Sequence, residues 1–422
     1  MISTLKNAWS IPELRKKLIF TALILLVYRV GNVIPVPYIN VDVLGTYFNS
    51  VLSNTVLGLY NAMSGSAFSQ ATVFALGIQP YINSSIIIQL LTIAIPALER
   101  LAKEGGEEGK KKINQITRYT TIGLGLLMGW AYYAMVKGYG SIITGEGFLP
   151  AMVIILAFAA GSTIVMWLGE QITEFGIGNG ISMILFANII SGIPRMIGTL
   201  ATMEWWEILI VVAGMAAVIL FIIFINDAER RIPIQYAKRV VGRKIYGGQS
   251  TNLPIKVAMS GVMPVIFASS ICSMPATVAA FLGKNAENSW WYANVFGTNT
   301  WFYVVMYGLM IFFFSWFYST IQYDPVEISN NLKKNGGFIP GFRPGKPTAD
   351  FIQKVINKII IFGAVYLAIV ALLPIVAGKF MSGVTNLGIG GTSVIIVVSV
   401  ALETVKALEA QMLMRHYKGF LD

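Results

Sequence analysis

Few side chains in this sequence are equipped for covalent or metal chemistry. Cys272 is the one thiol and His416 the one imidazole, which leaves too few ligands for a zinc site or a Cys–His nucleophile pair and no possibility of an intramolecular disulfide. No Walker A loop, HExxH or GxSxG motif occurs. Gly176-Ile177-Gly178-Asn179-Gly180 has the look of a phosphate-cradling loop, but it comes after an apolar block rather than a β-strand, and it reads as a tight turn. The carboxylates Glu170, Glu174, Asp227, Glu229, Asp324 and Glu327 flank the ends of apolar blocks. Glu403 is the exception. It lies some 15 residues into the last block, about 22 Å along a helix rising 1.5 Å per residue. Two readings fit it: an ion-coupling group, or a polar contact to a neighbouring helix. No enzyme activity, metal or cofactor is expected.

The elements that hold these residues are written in the composition. Of 422 residues 55% are hydrophobic and 12% charged, with a mean hydropathy of +0.68; soluble domains carry roughly a quarter charged residues. Crossing about 30 Å of hydrocarbon takes about 20 apolar residues, and uninterrupted apolar runs read as helices because lipid offers the backbone no partners. The first block runs from Leu18 to about Val36 behind Arg15, Lys16 and Lys17. The stretch after its apolar core, Arg29 to Pro37, is no small-residue cleavage site, so the block is a retained span rather than a signal peptide. Further blocks lie near 71–97, 117–137, 150–169, 179–197, 206–226, 256–282, 300–320, 355–377 and 388–412, for ten spans in all. The stretch from Val56 to Gly65 is too short to span and too apolar for an ordinary loop; a surface helix and a re-entrant segment fit it equally.

An even number of spans puts both termini on one side. Lys137, Arg195, Lys284 and Lys379 fall on the other side and Arg29 within the first span, so the rest of the 31 Lys/Arg share the side of the termini. The positive-inside rule makes that side cytoplasmic. Two long loops there, about 227–255 and 321–354, hold 11 of these 26 charges. Their Gly247-Gly248, Pro325 and 336–345 turn signals predict two structured basic projections, fit to dock an anionic partner such as RNA or an acidic protein face. Span 7 contains Pro264 and Pro275, predicting kinks, together with Ser260, Ser269, Ser270, Cys272 and Ser273. Span 2 carries Gln79, Pro80, Asn83, Ser84, Ser85 and Gln89. Such helices face a cavity or each other rather than lipid; tight small-residue packing is the equal alternative.

Several stretches, in this order, resemble the SecY family, the large subunit of bacterial Sec translocons: Phe74–Ile82 (FALGIQPYI), Trp167–Glu174 (WLGEQITE), Gly178–Ser182 (GNGIS), Tyr236–Arg239 (YAKR), Gln249–Pro254 (QSTNLP), Ile266–Ser270 (IFASS), Asn331–Lys334 (NLKK) and Pro340–Gly345 (PGFRPG). The similarity extends over essentially the whole chain.

The resemblance implies an all-α membrane protein of two inverted five-helix halves, 1–200 and 201–422, closing around a central pore. It implies a lateral gate between spans 2 and 7, with Ser85, Gln89, Ser269 and Ser270 as its polar residues. By motif position the family's aliphatic pore ring falls on Ile82, Ile86, Ile181, Leu185, Ile266 and Ile396, with Ile181 at the very start of its helix. The family's plug falls on Leu57, Gly58, Leu59, Tyr60, Asn61, Ala62, Met63, Ser64 and Gly65. Docking of the SecA ATPase or a translating ribosome falls on the basic loops, at Arg239, Arg243, Lys244, Lys333, Lys334 and Arg343. SecE and SecG are implied as small membrane partners, unfolded pre-proteins with signal sequences as cargo, and the bacterial plasma membrane as location. Leu185 stands where isoleucine is usual, and Met274 where a bulkier aromatic can occur. The competing reading is an ion-coupled secondary transporter of a small solute, motivated by ten spans and Glu403.

Overall fold

The computed structural model describes residues 2–48, 61, 64–103, 105–138, 142–145, 147–236, 239–241, 244–246, 250–259, 261–282, 300–380 and 391–418. Helix α1 (Ile2–Ser10) leads into α2 (Pro12–Gly31), the first span. Pro12 sits in the first turn, where its missing N–H is no loss, with Glu13 at the start and Arg29 at the end matching the helix dipole. After the short α3 (Val41–Tyr47), residues 64–78 form turns, and span 2 begins only at α4 (Gln79–Ala94), later than its hydropathy suggests. Pro96 ends it: α4 and α5 (Pro96–Lys103) meet at a 106° bend.

Spans 3 and 4 are α6 (Gly106–Lys137) and α7 (Phe148–Phe175); span 5 is α8 (Gly180–Ser191) continued by α9 (Ile193–Leu200); span 6 is α10 (Trp205–Asp227). The glycine-rich stretch between α7 and α8 is a turn. Gly178 takes φ +72°, Gly180 N donates to Thr173 Oγ1 at 2.9 Å, and Asn179 Oδ1 caps α8 by accepting from Ile181 N and Ser182 N at 3.0 and 3.3 Å.

The basic stretch after α10 departs from the all-helical expectation. Strand β1 (Glu229–Tyr236) pairs antiparallel with β4 (Ser250–Lys256), and between them β2 (Arg239–Val241) pairs with β3 (Lys244–Tyr246). Span 7, α11 (Met263–Leu282), therefore starts at 263 rather than 256, because Pro254 and Lys256 belong to the sheet. Pro264 lies in its first turn, where proline is tolerated without a kink; Pro275 lies inside the helix.

Spans 8, 9 and 10 are α12 (Trp301–Gln322), α14 (Lys346–Phe380) and α15 (Gly391–Lys418). Between the first two stand α13 (Pro325–Lys334) and β5 (Gly337–Phe338). Among the described residues, six segments are each long and apolar enough to cross a membrane unaided: α7, α8 with α9, α10, α12, α14 and α15. Spans 1, 2, 3 and 7 complete the set of ten.

The chain ends lie together. Thr4 Oγ1 donates to Glu409 Oε1 at 3.1 Å and Lys17 Nζ to Gln411 Oε1 at 3.3 Å, over a small core of Ala8, Leu14, Ile177 and Leu408. The two basic loops are one body rather than two projections. β5 pairs with β1 through Gln235↔Phe338 and Tyr236↔Gly337, and Ile232, Ile255, Ile339, Ile352 and Ile356 share a single core.

Close backbone approach fixes where α8 sits on α7. A side chain at Gly180 would overlap the Gly169 carbonyl oxygen and come within 2.8 Å of Ile172 Cβ, whereas Gly198 in α9 faces open space. Gly180→Ala is expected to cost about 1–3 kcal/mol and lower the thermal midpoint in detergent, while Gly198→Ala leaves it unchanged or raised; a thermal melt of the three proteins checks this.

Candidate channel constriction and gate

Ile82 and Ile86 are four residues apart on α4, as are Ile181 and Leu185 on α8, so each pair shares a helix face. The fold brings these faces together with Ile266 of α11 and Ile396 of α15. Ile82, Ile86, Leu185, Ile266 and Ile396 are buried in one apolar cluster, and Ile181 packs against it half-buried. The contact makes no hydrogen bond. It holds by dispersion, worth about 0.1–0.2 kcal/mol per atom pair, and each atom pair is easily exchanged for another.

A cavity of about 400 Å³ opens on this cluster from the side of the chain ends. Leu185, Ile266 and Ile396 line its deep end. Asn179, Asn226, Lys256, Glu403 and Lys406 line it farther out, Glu403 standing seven residues, about 10 Å, beyond Ile396 on α15. Lys406 Nζ bridges to Asp227 Oδ1 at 2.7 Å, and Asn226 Nδ2 donates to Ser399 Oγ at 3.2 Å. Glu403 is exposed to this cavity rather than buried against a neighbouring helix. The space is thus apolar at its base and charged with both signs at its mouth.

Between α4 and α11, Gln79 Nε2 donates directly to Ser270 Oγ at 3.0 Å, with both side chains buried. Of the other polar residues named from sequence, Ser269 Oγ donates at 2.8 Å to Ile266 O of its own helix, Ser85 is half-buried, and Gln89 is exposed. Ser84 Oγ donates to Thr117 O at 2.8 Å and ties α4 to α6. Gln79, which makes this contact between the two helices, is not among the polar residues that the resemblance assigns to a gate. Its signal was its place one residue before Pro80 at the head of span 2.

Of the short apolar segment, Leu57, Gly58, Leu59, Tyr60, Ala62 and Met63 lie outside the described residues. Asn61, Ser64 and Gly65 form a turn: Ser64 Oγ donates to Asn61 O at 3.0 Å and Asn61 Oδ1 accepts from Ser69 N at 2.9 Å. Gly65 takes φ +67°, and a Cβ there would lie 3.0–3.1 Å from Ser191 Oγ, Arg29 Nη1 and Asn188 Oδ1, so a side chain would be strained by the backbone and crowd all three. The segment's trailing end is therefore seated between spans 1 and 5.

On the basic platform, Lys333 and Lys334 are exposed at the C-terminus of α13, and Arg343 is exposed beside Phe342, whose ring packs on Phe351 at 4.3 Å. Arg239 and Lys244 lie on the β2–β3 hairpin; Arg243 lies outside the described residues.

A SecY family model matches residues 72–405. The chain belongs to the SecY family. It is 43% identical to the protein translocase subunit SecY of Streptomyces galbus and 40% identical to that of Bacillus subtilis strain 168, each over the full length of both chains. Among solved structures it is similar to one described as a protein conducting channel, with a TM-score of 0.67 at 17% identity over 94% of this chain and 92% of that one. A SecY structure described as having a plug domain that stabilises the closed state gives 0.63 at 18% identity, and Sec61 in the canine ribosome-channel complex gives 0.63 at 16%, each over 94% of this chain and 92% of the other. These likenesses share the fold.

Removing the Ser270 hydroxyl strands Gln79 in a buried position, which costs about 1–3 kcal/mol in the closed arrangement. Ser270→Ala is expected to loosen contact between α4 and α11, and Gln79→Leu with Ser270→Ala to restore it. Disulfide trapping between cysteines placed across the two helices, in a Cys272→Ser background, checks both.

Proposed function

We infer that the chain is the channel-forming subunit of a protein translocase, passing unfolded polypeptides through the membrane rather than catalysing a reaction. The observation that carries this is the meeting of aliphatic side chains from α4, α8, α11 and α15 at the base of a polar-mouthed cavity. A constriction walled only by Ile and Leu offers an ion nothing in place of its hydration shell, so it excludes ions and water. Because it makes no directional bonds, it yields to any side chain of a passing polypeptide and closes behind it. That suits cargo defined by being unfolded, such as pre-proteins with signal sequences.

Ile82, Ile86, Ile181, Leu185, Ile266 and Ile396 form the pore ring in this reading, and residues 57–65 the plug that covers it. The halves 1–200 and 201–422 close on each other, and α4 and α11 part to release membrane helices into the bilayer, with the Gln79–Ser270 bond as the latch between them. The chain ends and the basic platform face the cytoplasm of a bacterial plasma membrane, as the distribution of Lys and Arg favours. The chain carries no nucleotide-binding motif. Energy therefore comes from a docked SecA ATPase or a translating ribosome, received on Arg239, Arg243, Lys244, Lys333, Lys334 and Arg343, and SecE and SecG complete the complex. The likeness to Sec61 in the canine ribosome-channel complex supports a ribosome as one such partner, and the basic charge of the platform suits its RNA.

Ile396→Asn places an amide in the apolar constriction. It is expected to raise ion conductance in planar bilayers several-fold and to permit export of precursors with weak signals; unchanged conductance and stringency would refute the ring. Arg343→Glu reverses an exposed charge, for which stability changes within about 0.5 kcal/mol are usual. SecA-driven export of a signal-bearing precursor into vesicles is expected to fall at least about tenfold, a binding loss of about 1.4 kcal/mol, with an unchanged melt. Normal export would remove Arg343 from the docking surface.

A further inference from the structure

The cavity that opens on the aliphatic cluster holds a carboxylate that the seal does not use. Glu403 of α15 is exposed to it and makes no hydrogen bond or ion pair among the described residues. Two cations share the lining. Lys406, on the same helix, is held by Asp227 Oδ1 at 2.7 Å, which offsets its charge, and Lys256 is exposed at the end of β4. The apolar wall comes from the head of α11 and the residues before it: Met259, Val262 and Met263, continued inward by Ile266. Methionine is unbranched and polarisable, so it moulds to apolar chains of different shape. The cavity thus presents an adaptable apolar wall from the gate helix and a free carboxylate from α15, the latter about 10 Å along its helix from Ile396.

A secretory signal has the matching layout: a short cationic stretch, then roughly 7–15 apolar residues. Wound as a helix, that apolar run is about 10–22 Å long. With its cation at Glu403, it passes Met259 and Met263 and reaches the level of Ile396. We propose that Glu403 holds the cationic N-terminal stretch of a signal segment at the cavity mouth while the apolar run lies along the head of α11. This rests on reading the chain as a translocase channel. It makes Glu403 a residue that selects among signals by their charge. Lys256 opposes it: the same stretch is repelled there, so removing that cation strengthens the preference.

The test uses the full chain reconstituted with its partner subunits and SecA, in vesicles without a membrane potential, so that the transmembrane field does not itself sort charges. Three precursors differ only in the stretch before the apolar run, which carries lysines, glutamines or glutamates. Glu403→Gln is expected to lower export of the lysine precursor about threefold relative to the glutamine precursor, the effect of an exposed ion pair worth about 0.65 kcal/mol. Glu403→Lys should reverse the order, exporting the glutamate precursor better than the lysine one, and Lys256→Gln should increase the lysine precursor's advantage. Ratios unmoved by both Glu403 variants would overturn the proposal, and so would movement by Lys256→Gln alone. An equal loss for all three precursors would overturn it as well, because a packing or gating role does not read the cargo's charge. Failure of the unsubstituted chain to export any precursor would instead overturn the channel reading beneath it.

Discussion

Dispersion contact between aliphatic side chains of separate helices is the interaction on which this molecule depends. Ile82 and Ile86, Leu185, Ile266 and Ile396 reach one cluster from four helices that are not consecutive in the chain. Lipid is as apolar as leucine, so nothing drives these side chains together by exclusion from water; close packing holds them. In the proposed channel, a contact of that kind would seal without specifying what may break it. The rest of the architecture positions it: Asn179 capping α8, Pro80 and Pro96 bounding α4, and Pro264 starting α11 each fix how far along its helix a sealing residue stands.

Polar groups surround the seal where direction is needed. The Gln79–Ser270 bond joins α4 to α11 at one point, in surroundings where an unpaired amide is costly. At the mouth of the cavity, Lys406 pairs with Asp227 while Glu403 faces the open space. The basic platform is tied to the gate by the chain itself: β4 ends at Lys256 and α11 begins at Met263. The shared core of Ile232, Ile255, Ile339 and Ile352 makes the platform one body, and that body leads directly into α11.

Much of this was legible in the sequence because lipid permits few solutions. Long apolar blocks had to be helices, and the ten blocks correspond to the ten spans. Boundaries were less legible where an apolar run outlasts its helix: residues 71–78 are apolar yet form turns, and Lys256, where span 7 was expected to begin, instead ends the strand that pairs with β1. The sheet itself was hidden, since Arg-rich strands of three to eight residues resemble a solvated loop and the pairing of β5 with β1 joins segments about a hundred residues apart. Gln79 was passed over for Ser85 and Gln89 because composition shows that a helix is polar, whereas which polar side chain meets the neighbouring helix depends on a rotation that only packing fixes. The ring positions came from family motifs; taken singly, an isoleucine in a membrane helix carries no signal.

The most direct measurement of the seal is site-specific cross-linking to an arrested polypeptide. A precursor is stalled partway through the reconstituted channel with one cysteine in its translocating stretch, and cysteines are placed in turn at 82, 185, 266 and 396 in a Cys272→Ser background. If the aliphatic cluster is the constriction, that one residue of the arrested chain forms disulfides with positions on all four helices, and cysteines at the outward-facing Leu209 and Leu220 form none. Cross-links confined to one helix, or equal at the outward positions, would contradict it.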